Sequence, residues 1–331
     1  MNISITGATG CLGQPLLDIL QLSGYQVKAL LLPQDRLPVR FINKFQVING
    51  DINSTDTLES FCHNSDIIFH LAGKVHYVPK SKFDELDFFR INVDGTQKLI
   101  SSAKKNKVKR IVFFSTVGVY GKNFNFHGNE DSACRPITSY AKSKLLAENL
   151  ILKSSKNGGP EGVVLRFPVV YGPLDRGNVA KMIETVHKKI FFYFGDGNYK
   201  RSMISSKNAA EAAIKAAFEP KAANETFLVT DGQDYTLTEF ANAICEALDT
   251  NWRPFHIPLA FARLAGIIGD GIERIVPFSF PLNSNRVSKL SGSLTFSCEK
   301  AKKKINYQPI ESLREGIKRE VEWLKLEKRW K

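Results

Sequence analysis

Three glycines near the start of the chain restrict what it can fold into. Gly7, Gly10 and Gly13 follow a short apolar run and precede leucines at helical spacing. A strand, a tight turn and a helix in this order let the backbone approach a pyrophosphate, and the helix N-terminus offers free N–H groups. The sequence therefore predicts a dinucleotide-binding turn, whose cofactor contacts are Gly7, Thr9, Gly10, Cys11, Leu12 and Gly13.

Apolar strands alternate with helical patterns over most of the first 170 residues. Strands are predicted at residues 2–5, 27–32, 45–48, 66–71, 110–115 and 162–167. This alternation predicts an α/β fold of the Rossmann type, a doubly wound parallel sheet with right-handed crossovers. After Pro173 the pattern loosens, but a helix at 209–218 and a strand at 226–229 are expected to return to the sheet.

The same pattern suggests two parts of unequal size. We expect residues 1–172, with about 202–232 returning to them, to form an NAD(P)-binding Rossmann domain. Residues 173–201 and 233–331 would then form a smaller, mostly helical C-terminal lobe that binds substrate. Within this lobe the apolar segment 257–282 is favoured as a core or lid helix, and a lipid-facing amphipathic element is the alternative.

Charge and cysteine content limit the remaining function classes. The formal net charge of +13 would suit nucleic acid, an anionic membrane or a phosphate-bearing small molecule. Much of the excess lies in amphipathic or terminal stretches, which favours solvated helix faces over a nucleic-acid footprint. The five cysteines lack metal-ligand spacing and indicate reduced thiols in a cytoplasmic protein without a metal site. No apolar run approaches the roughly 18 residues of a membrane span.

The cofactor's adenosine end is less clearly marked. Dinucleotide folds commonly end the second strand with a carboxylate that binds the ribose, but Leu31 and Leu32 occupy that region. Arg36, slightly later, and Asp51 and Ile52, after the third strand, are the remaining candidate contacts. NAD and NADP both stay open, with NAD favoured, and Asp51 could instead cap the following helix.

A tyrosine and a lysine are spaced for proton transfer. Tyr140 and Lys144 lie four residues apart and would share one helix face. Tyrosine, with a pKa near 10, is a poor base at neutral pH. A cation about 4 Å away at an effective dielectric of about 20 contributes roughly 4 kcal/mol, enough to lower that pKa by about 3. We therefore expect Lys144 to lower the pKa of Tyr140, although the same spacing also occurs in ordinary surface pairs.

Several further motifs accompany this pair. They are Ser115-Thr116-Val117-Gly118-Val119-Tyr120-Gly121, His70-Leu71-Ala72-Gly73, Asn92-Val93-Asp94-Gly95-Thr96, Leu165-Arg166-Phe167-Pro168, Val170-Tyr171-Gly172-Pro173 and Gly195-Asp196-Gly197 with Arg201. Over roughly residues 1–232 the chain resembles the extended short-chain dehydrogenase/reductase family, in its UDP-glucose 4-epimerase-like branch of nucleotide-sugar epimerases and dehydratases. Residues 202–206 depart from that family's usual His-Val-x-Asp.

The resemblance implies roles for individual residues. Tyr140, Lys144 and Thr116 would be catalytic, with Thr116 polarising the substrate 24 residues before the tyrosine. Besides the glycine turn, the implied cofactor contacts are Leu71, Ala72, Gly73, Asn92, Ser115, Tyr140, Lys144, Phe167 and Val169. The implied substrate contacts are Lys74, Thr116, Val117, Asn178 and Arg201.

The expected function is that of an NAD(P)-dependent nucleotide-sugar epimerase or 4-keto reductase, in which Tyr140 assists hydride transfer at a sugar carbon. A reductase or dehydrogenase of a steroid- or flavonoid-like carbonyl is an alternative, kept open by the apolar segment 257–282. Dehydration is disfavoured because Val117 and Gly118 stand where dehydratases usually carry an acidic pair. A non-enzymatic dinucleotide-sensing scaffold is disfavoured because Tyr140 and Lys144 are both present. Relatives commonly form homodimers through two helices, and a homodimer is possible here.

Overall fold

The computed structural model describes residues 1–75, 81–121, 125–275, 287, 291–328 and 330. Its strands are β1 (Asn2–Thr6), β2 (Gln26–Leu31), β3 (Gln46–Asn49), β4 (Ile67–His70), β5 (Arg110–Thr116), β6 (Phe126–Gly128), β7 (Glu161–Phe167), β8 (Val169–Tyr171), β9 (Phe192–Phe194), β10 (Lys200–Ser205), β11 (Glu225–Leu228), β12 (Asp234–Thr236), β13 (Phe255–Ile257) and β14 (Leu294–Phe296).

Its α-helices are α1 (Gly13–Leu22), α2 (Thr55–Cys62), α3 (Lys82–Phe89), α4 (Gly95–Lys105), α5 (Ser139–Lys153), α6 (Asn178–His187), α7 (Ser206–Phe218), α8 (Leu237–Ala247), α9 (Leu259–Ile275), α10 (Glu299–Ile305) and α11 (Leu313–Lys328). A π-helical turn, Arg90–Asp94, joins α3 to α4.

A parallel sheet in the order β11-β7-β5-β4-β1-β2-β3 forms the centre of the fold. Its strands are mostly buried because both faces are covered, as is usual for parallel sheets. Helices α1 and α7 pack on one face, and α2, α4 and α5 on the other. The predicted doubly wound Rossmann sheet is confirmed. The strand order reverses between β1 and β4, and ligands of such sheets bind in the crevice outside the strand ends there.

Packing against the sheet depends on small side chains in α7. Ala209, Ala210, Ala213, Ala216 and Ala217 are all buried in this helix. With no larger side chain between the backbones, α7 approaches both the sheet and α1 closely. This fixes the position of α1, and with it the glycine turn that precedes the helix.

The C-terminal region contains more strands than predicted. Strands β12, β10, β14 and β6 form a second sheet, to which β8 adds through β10, and β9 pairs with β13. Helices α6, α8 and α11 enclose a separate apolar cluster around Tyr171. This region is therefore helical with small sheets attached, and its division from the Rossmann domain at residue 172 stays a prediction.

The apolar segment predicted at 257–282 is only partly described. Helix α9 covers residues 259–275 of it, and residues 276–282 lie outside the described residues. Among the described helices, none combines the length and apolarity needed to cross a bilayer.

Candidate active site

The glycine turn between β1 and α1 is tightly packed at Gly7 and Gly13 and open at Gly10. Gly7 has a φ of +74°, and a Cβ there would lie 2.8 Å from the backbone nitrogen of Ala72. A Cβ on Gly13 would lie 2.3 Å from the carbonyl oxygen of Gly7. At Gly10 the nearest atom to such a Cβ would be 3.6 Å away. Gly7 and Gly13 therefore permit the turn, and Gly10 leaves its outer side open.

This open side fits the pyrophosphate of a dinucleotide. Leu12, the N-cap of α1, has no polar side chain to occupy the helix N-terminus. Residues 13–16 of the first turn include no carboxylate that would repel a phosphate. A helix N-terminus favours bound anions through its N–H groups and dipole.

The polar side chains of the turn are directed elsewhere. The Cys11 thiol lies 3.8 Å from the carbonyl oxygen of Gly172, and burial raises the pKa of this thiol far above its ordinary value. Thr9 donates to Asp35 over 3.4 Å. Contacts of Thr9 and Cys11 with a pyrophosphate would therefore come mainly from their main chain.

Asp35 is a candidate site residue that the sequence patterns did not indicate. It lies four residues beyond the end of β2, yet its carboxylate returns to the glycine turn through Thr9. The neighbouring Arg36 is exposed and donates to the carbonyl oxygens of Pro33 and Asp35, both at 2.7 Å. The signal for Asp35 was available as the nearest acidic residue after β2.

The other adenosine-end candidates have local roles. Asp51 accepts hydrogen bonds from the backbone and side-chain nitrogens of Asn53, at 2.8 and 3.1 Å. It thereby forms the turn before α2, while Ser54 is the N-cap of that helix. Asp51 thus has a local structural role in this turn, but the alternative that it caps the helix is wrong because Ser54 does so, and Ile52 is buried in the core beside it.

The loop after β4 closes over the end of β1. The Ala72 nitrogen donates to the Thr6 hydroxyl at 3.1 Å. His70 is fully buried between the hydroxyls of Thr6 and Thr96, at 2.8 and 3.0 Å. Burial lowers the pKa of His70 to about 3, with a smaller contribution from the nearby Lys144 charge. His70 is therefore neutral and structural.

Asn92 joins this loop to helix α5. Its side-chain oxygen accepts from the backbone nitrogen of Lys74 at 2.8 Å, and its side-chain nitrogen donates to the Ser143 hydroxyl at 2.9 Å. Ser143 in turn donates to the carbonyl oxygen of Tyr140. Asn92 lies in the π-helical turn, a type of irregularity that often occurs at functional sites.

Thr116 and Tyr140 meet at the carboxyl end of β5. The Thr116 side chain is close enough to the Tyr140 phenol to influence its pKa, and the Thr116 oxygen accepts from the Gly118 backbone nitrogen at 3.0 Å. Burial raises the pKa of Tyr140 to about 12, and the Thr116 side chain opposes this in part. Lys144 does not contribute to the pKa of Tyr140 in this structure, and the expectation that it lowers this pKa together with the charge of the nicotinamide stays a prediction.

Lys144 lies in a dry environment on the same helix. The side chain is 3% exposed, and its Nζ lies 3.9 Å from the centre of the Phe113 ring. Burial lowers the pKa of Lys144 to about 7, although Glu148, one turn later, favours the charged form. A Cβ on Gly73 would lie 3.9 Å from this ammonium, which places Lys144 beside the loop after β4.

A buried ion pair between Arg166 on β7 and Glu148 on α5 fixes α5 on the sheet. Arg166 and Glu148 approach to 2.6 Å, and Arg166 also donates to the Tyr120 hydroxyl at 2.7 Å. Ser115 donates a short hydrogen bond to Glu148. Its hydroxyl is thus bound to Glu148, so a contact of Ser115 with the predicted cofactor would come from its backbone.

The remaining predicted contacts are spread over other elements. Phe167 is buried against the Phe114 ring at 5.2 Å, so its side chain belongs to the core, whereas Val169 on β8 is 41% exposed. Lys74 pairs with Asp87 at 2.8 Å.

Three predicted substrate contacts lie after β5. Val117 begins the turn after β5, and exposed Asn178 begins α6. Arg201 on β10 donates to the carbonyl oxygen of Gly292. Asn178 and Arg201 thus lie on different elements from those that carry Thr116 and Tyr140.

Comparison with known proteins shows the family of the chain. The profile of the NAD dependent epimerase/dehydratase family matches residues 3–230. The chain belongs to this family. It is 30% identical to a UDP-glucose 4-epimerase of Vibrio cholerae over 96% of its own length and 93% of the relative's.

Two solved structures are similar over nearly their whole length. The UDP-glucose 4-epimerase of Thermotoga maritima with UDP-glucose is 25% identical, with a TM-score of 0.78 and 99% of each chain covered. The UDP-glucuronic acid 4-epimerase of Bacillus cereus in complex with NAD is 21% identical, with a TM-score of 0.77, and 98% of this chain and 99% of that one are covered. At 21% identity, the similarity to the Bacillus cereus enzyme shows a shared fold.

Family membership confirms several predictions. The chain is an enzyme of the extended short-chain dehydrogenase/reductase type, and the predicted nucleotide-sugar epimerase family is the correct one. Its cofactor is NAD, as favoured, since the family is NAD dependent.

Proposed function

We propose that this enzyme inverts a carbinol centre in the sugar of a nucleotide sugar, with Tyr140 as the proton-transfer residue. The observation that carries the proposal is the proximity of Thr116, at the end of β5, to Tyr140 on α5, beside the loop that follows β4. Two neighbouring hydroxyls can both hydrogen bond to one substrate oxygen. Proton transfer by a positioned side chain contributes about 10²- to 10⁴-fold in rate.

The charges around Tyr140 determine when it can accept a proton. The pKa of Tyr140 is about 12, and it must fall close to the solution pH before the phenolate is accessible at neutral pH. One cation at about 4 Å contributes roughly 4 kcal/mol, or about 3 in pKa, so more than one positive charge is required. Lys144 supplies one of them when protonated.

Bound NAD would supply the hydride acceptor and a positively charged ring. In this proposal the glycine turn holds the pyrophosphate through its backbone, and Asp35 binds the adenosine ribose. Asn92 positions the loop after β4 against α5. Lys144 binds the ribose next to the nicotinamide and keeps its ammonium on the side of Tyr140.

The substrate is proposed to be a uridine diphosphate sugar, on the strength of the Vibrio relative. Arg201 and Asn178 are proposed to bind its diphosphate, with Lys74 and Val117 nearer the sugar. Thr116 would hold the reacting oxygen, and Val169 would line the floor of the site. The five free cysteines are in accord with the proposed cytoplasmic location.

A homodimer is proposed through α3 and α5, which pack side by side. Phe83 and Leu86 on α3 are 82% and 61% exposed, and Leu146 on α5 is 46% exposed. Covering these side chains would remove apolar surface from water without altering the site.

The test is a panel of uridine diphosphate sugars incubated with catalytic NAD, with products identified by proton NMR. We expect at least one sugar to be converted into its epimer without net formation of NADH. Conversion of the added NAD into NADH, with release of one keto sugar for each NADH formed, would show a dehydrogenase instead. Turnover of hydrophobic ketones with NADH, and of no sugar nucleotide, would show the steroid-like alternative to be correct.

A further inference from the structure

One surface of the C-terminal region is apolar and exposed, and it lies in the segment for which a core or lid helix was favoured and a lipid-facing element was the alternative. On α9, Phe261, Leu264, Ile267 and Ile268 are 67%, 58%, 63% and 55% exposed. Their spacing of three and four residues places them in one stripe along the helix. This exposure contradicts a core helix for residues 259–268, whereas a lid helix and a lipid-facing element both stay predictions.

The opposite side of α9 attaches the helix to the fold. Ala262 is buried and packs with Phe194 of β9 and with Val287. The helix is thus fixed through small residues while its large apolar side chains face away. A contiguous set of large exposed apolar side chains is unusual in a monomeric protein and commonly marks an interaction surface.

Two phenylalanines extend this surface beyond the helix. Phe192 of β9 and Phe255 of β13 are paired in register, with ring centres 5.9 Å apart. They are 42% and 55% exposed, and Phe192 also contacts the Phe194 ring beneath α9. We call the six side chains of Phe192, Phe255, Phe261, Leu264, Ile267 and Ile268 the apolar face.

Positive charges border the apolar face. Lys188 and Lys189 are exposed just before β9, and Arg253 is exposed just before β13. Because β9 and β13 are parallel, these three cations lie at the same end of the strand pair. Arg263 is exposed on α9 itself. The stretches 188–194 and 252–270 contain one acidic residue, Asp270. These stretches thus carry four lysines and arginines against one carboxylate, and the exposed Asp249 lies just before the second of them.

The apolar face and its basic border together distinguish between two possible occupants, a second copy of the chain and a lipid bilayer. In a symmetric dimer the same patch meets itself, so the basic borders of two copies would be brought together. An anionic bilayer instead offers acyl chains for the apolar side chains and acidic headgroups for the lysines and arginines.

We propose that the apolar face docks this protein on the surface of an anionic lipid bilayer, with α9 lying along the interface. Leu264, Ile267 and Ile268 would enter the boundary between headgroups and acyl chains, and Phe192 and Phe255 would lie at headgroup depth. Lys188, Lys189 and Arg253 would contact the anionic headgroups. This inference goes beyond the proposed reaction and does not depend on it, because binding is measured without turnover.

The test is cosedimentation of the full chain with vesicles of phosphatidylcholine alone and of phosphatidylcholine mixed with phosphatidylglycerol. The wild type is expected to bind the anionic vesicles far more tightly, and molar salt should weaken this binding. Each lysine near an anionic surface contributes about 1 kcal/mol, or about fivefold, so Lys188→Ala with Lys189→Ala should weaken binding by about 25-fold.

Apolar variants test the other half of the proposal. Ile267→Ser with Ile268→Ser should weaken vesicle binding at least about tenfold, since the removed methylene groups no longer leave water. Leu326→Ser is the matched control, because Leu326 on α11 is 82% exposed and lies outside the apolar face. It should bind vesicles as the wild type does. NAD binding, measured on each variant, reports correct folding.

Two results would overturn the proposal. The first is a wild type that does not bind anionic vesicles, or an Ile267→Ser, Ile268→Ser variant that binds them equally well. The second is a wild-type dimer in light scattering that this double variant converts to a monomer, which would make the face a contact between copies. The lysine variant decides the question even if the isoleucine variant folds poorly.

Discussion

Replacing Lys144 by methionine should stabilise the protein while removing its activity. The ammonium is buried over the Phe113 ring, and its pKa falls from an ordinary value of 10.5 to about 7. At about 1.4 kcal/mol for each unit of pKa, burial of the charged form costs about 5 kcal/mol. Methionine has a similar shape and no charge to desolvate, so the fold recovers this cost.

The sign of the effect follows from proton linkage. Between pH 7 and 10.5 the unfolded lysine binds more protons than the folded one, so wild-type stability from this group rises with pH. The cost is complete below about pH 7, falls to about 2 kcal/mol near pH 9 and is small above the ordinary pKa. The advantage of Lys144→Met should therefore be greatest in mildly acidic solution and decline as pH rises.

Urea unfolding of wild type and variant at about pH 6, 7.5 and 9 measures this difference directly. Lys142→Met is the matched control, since Lys142 lies on the same helix but is exposed. A surface change of this kind should alter the free energy of unfolding by no more than about 0.5 kcal/mol. If Lys144→Met were less stable than wild type at about pH 6, the desolvation argument would be refuted.

Three further predictions concern the cofactor turn and the support of α5. Gly10→Ala should fold normally but weaken NAD binding at least about tenfold in calorimetry, whereas Gly13→Ala should lower the melting temperature, because its Cβ would collide with the turn. Asp35→Ala should raise the Kd for NAD about tenfold, a loss of about 1.4 kcal/mol, and leave stability unchanged; an unaltered Kd would remove Asp35 from the adenosine site. Glu148→Gln should reduce the free energy of unfolding by about 3–5 kcal/mol, because it leaves the buried Arg166 charge unpaired, and equal urea midpoints would contradict this.

The main sheet could be predicted closely from the sequence. Strands β1 and β5 differ from their predicted bounds by one residue, because parallel strands buried on both faces are continuous apolar runs. Strands β6 and β14 could not be predicted. Each has three residues, and they pair Phe126 with Leu294, far apart along the chain. No periodicity develops in so short a strand, and long-range pairing leaves no local pattern.

The positions of the main site residues could be predicted from the sequence, but their protonation could not. The spacing of Tyr140 and Lys144 placed both residues on α5, since helical geometry is local. Their protonation could not be predicted, because desolvation depends on neighbours from β5 and α3, such as the Phe88 ring 6.1 Å from that of Tyr140. Asp35 is the nearest acidic residue after β2, but it was missed because only the folded loop shows that its carboxylate reaches Thr9.

The central claim is that Tyr140 transfers the proton, and the most direct test is steady-state turnover of Tyr140→Phe. The variant should bind NAD and substrate within a few-fold of wild type, because the ring remains. Its kcat should fall by about 10²- to 10⁴-fold, the range for loss of a positioned general acid–base group. A kcat near the wild-type value would contradict the account and assign the proton transfer to another residue.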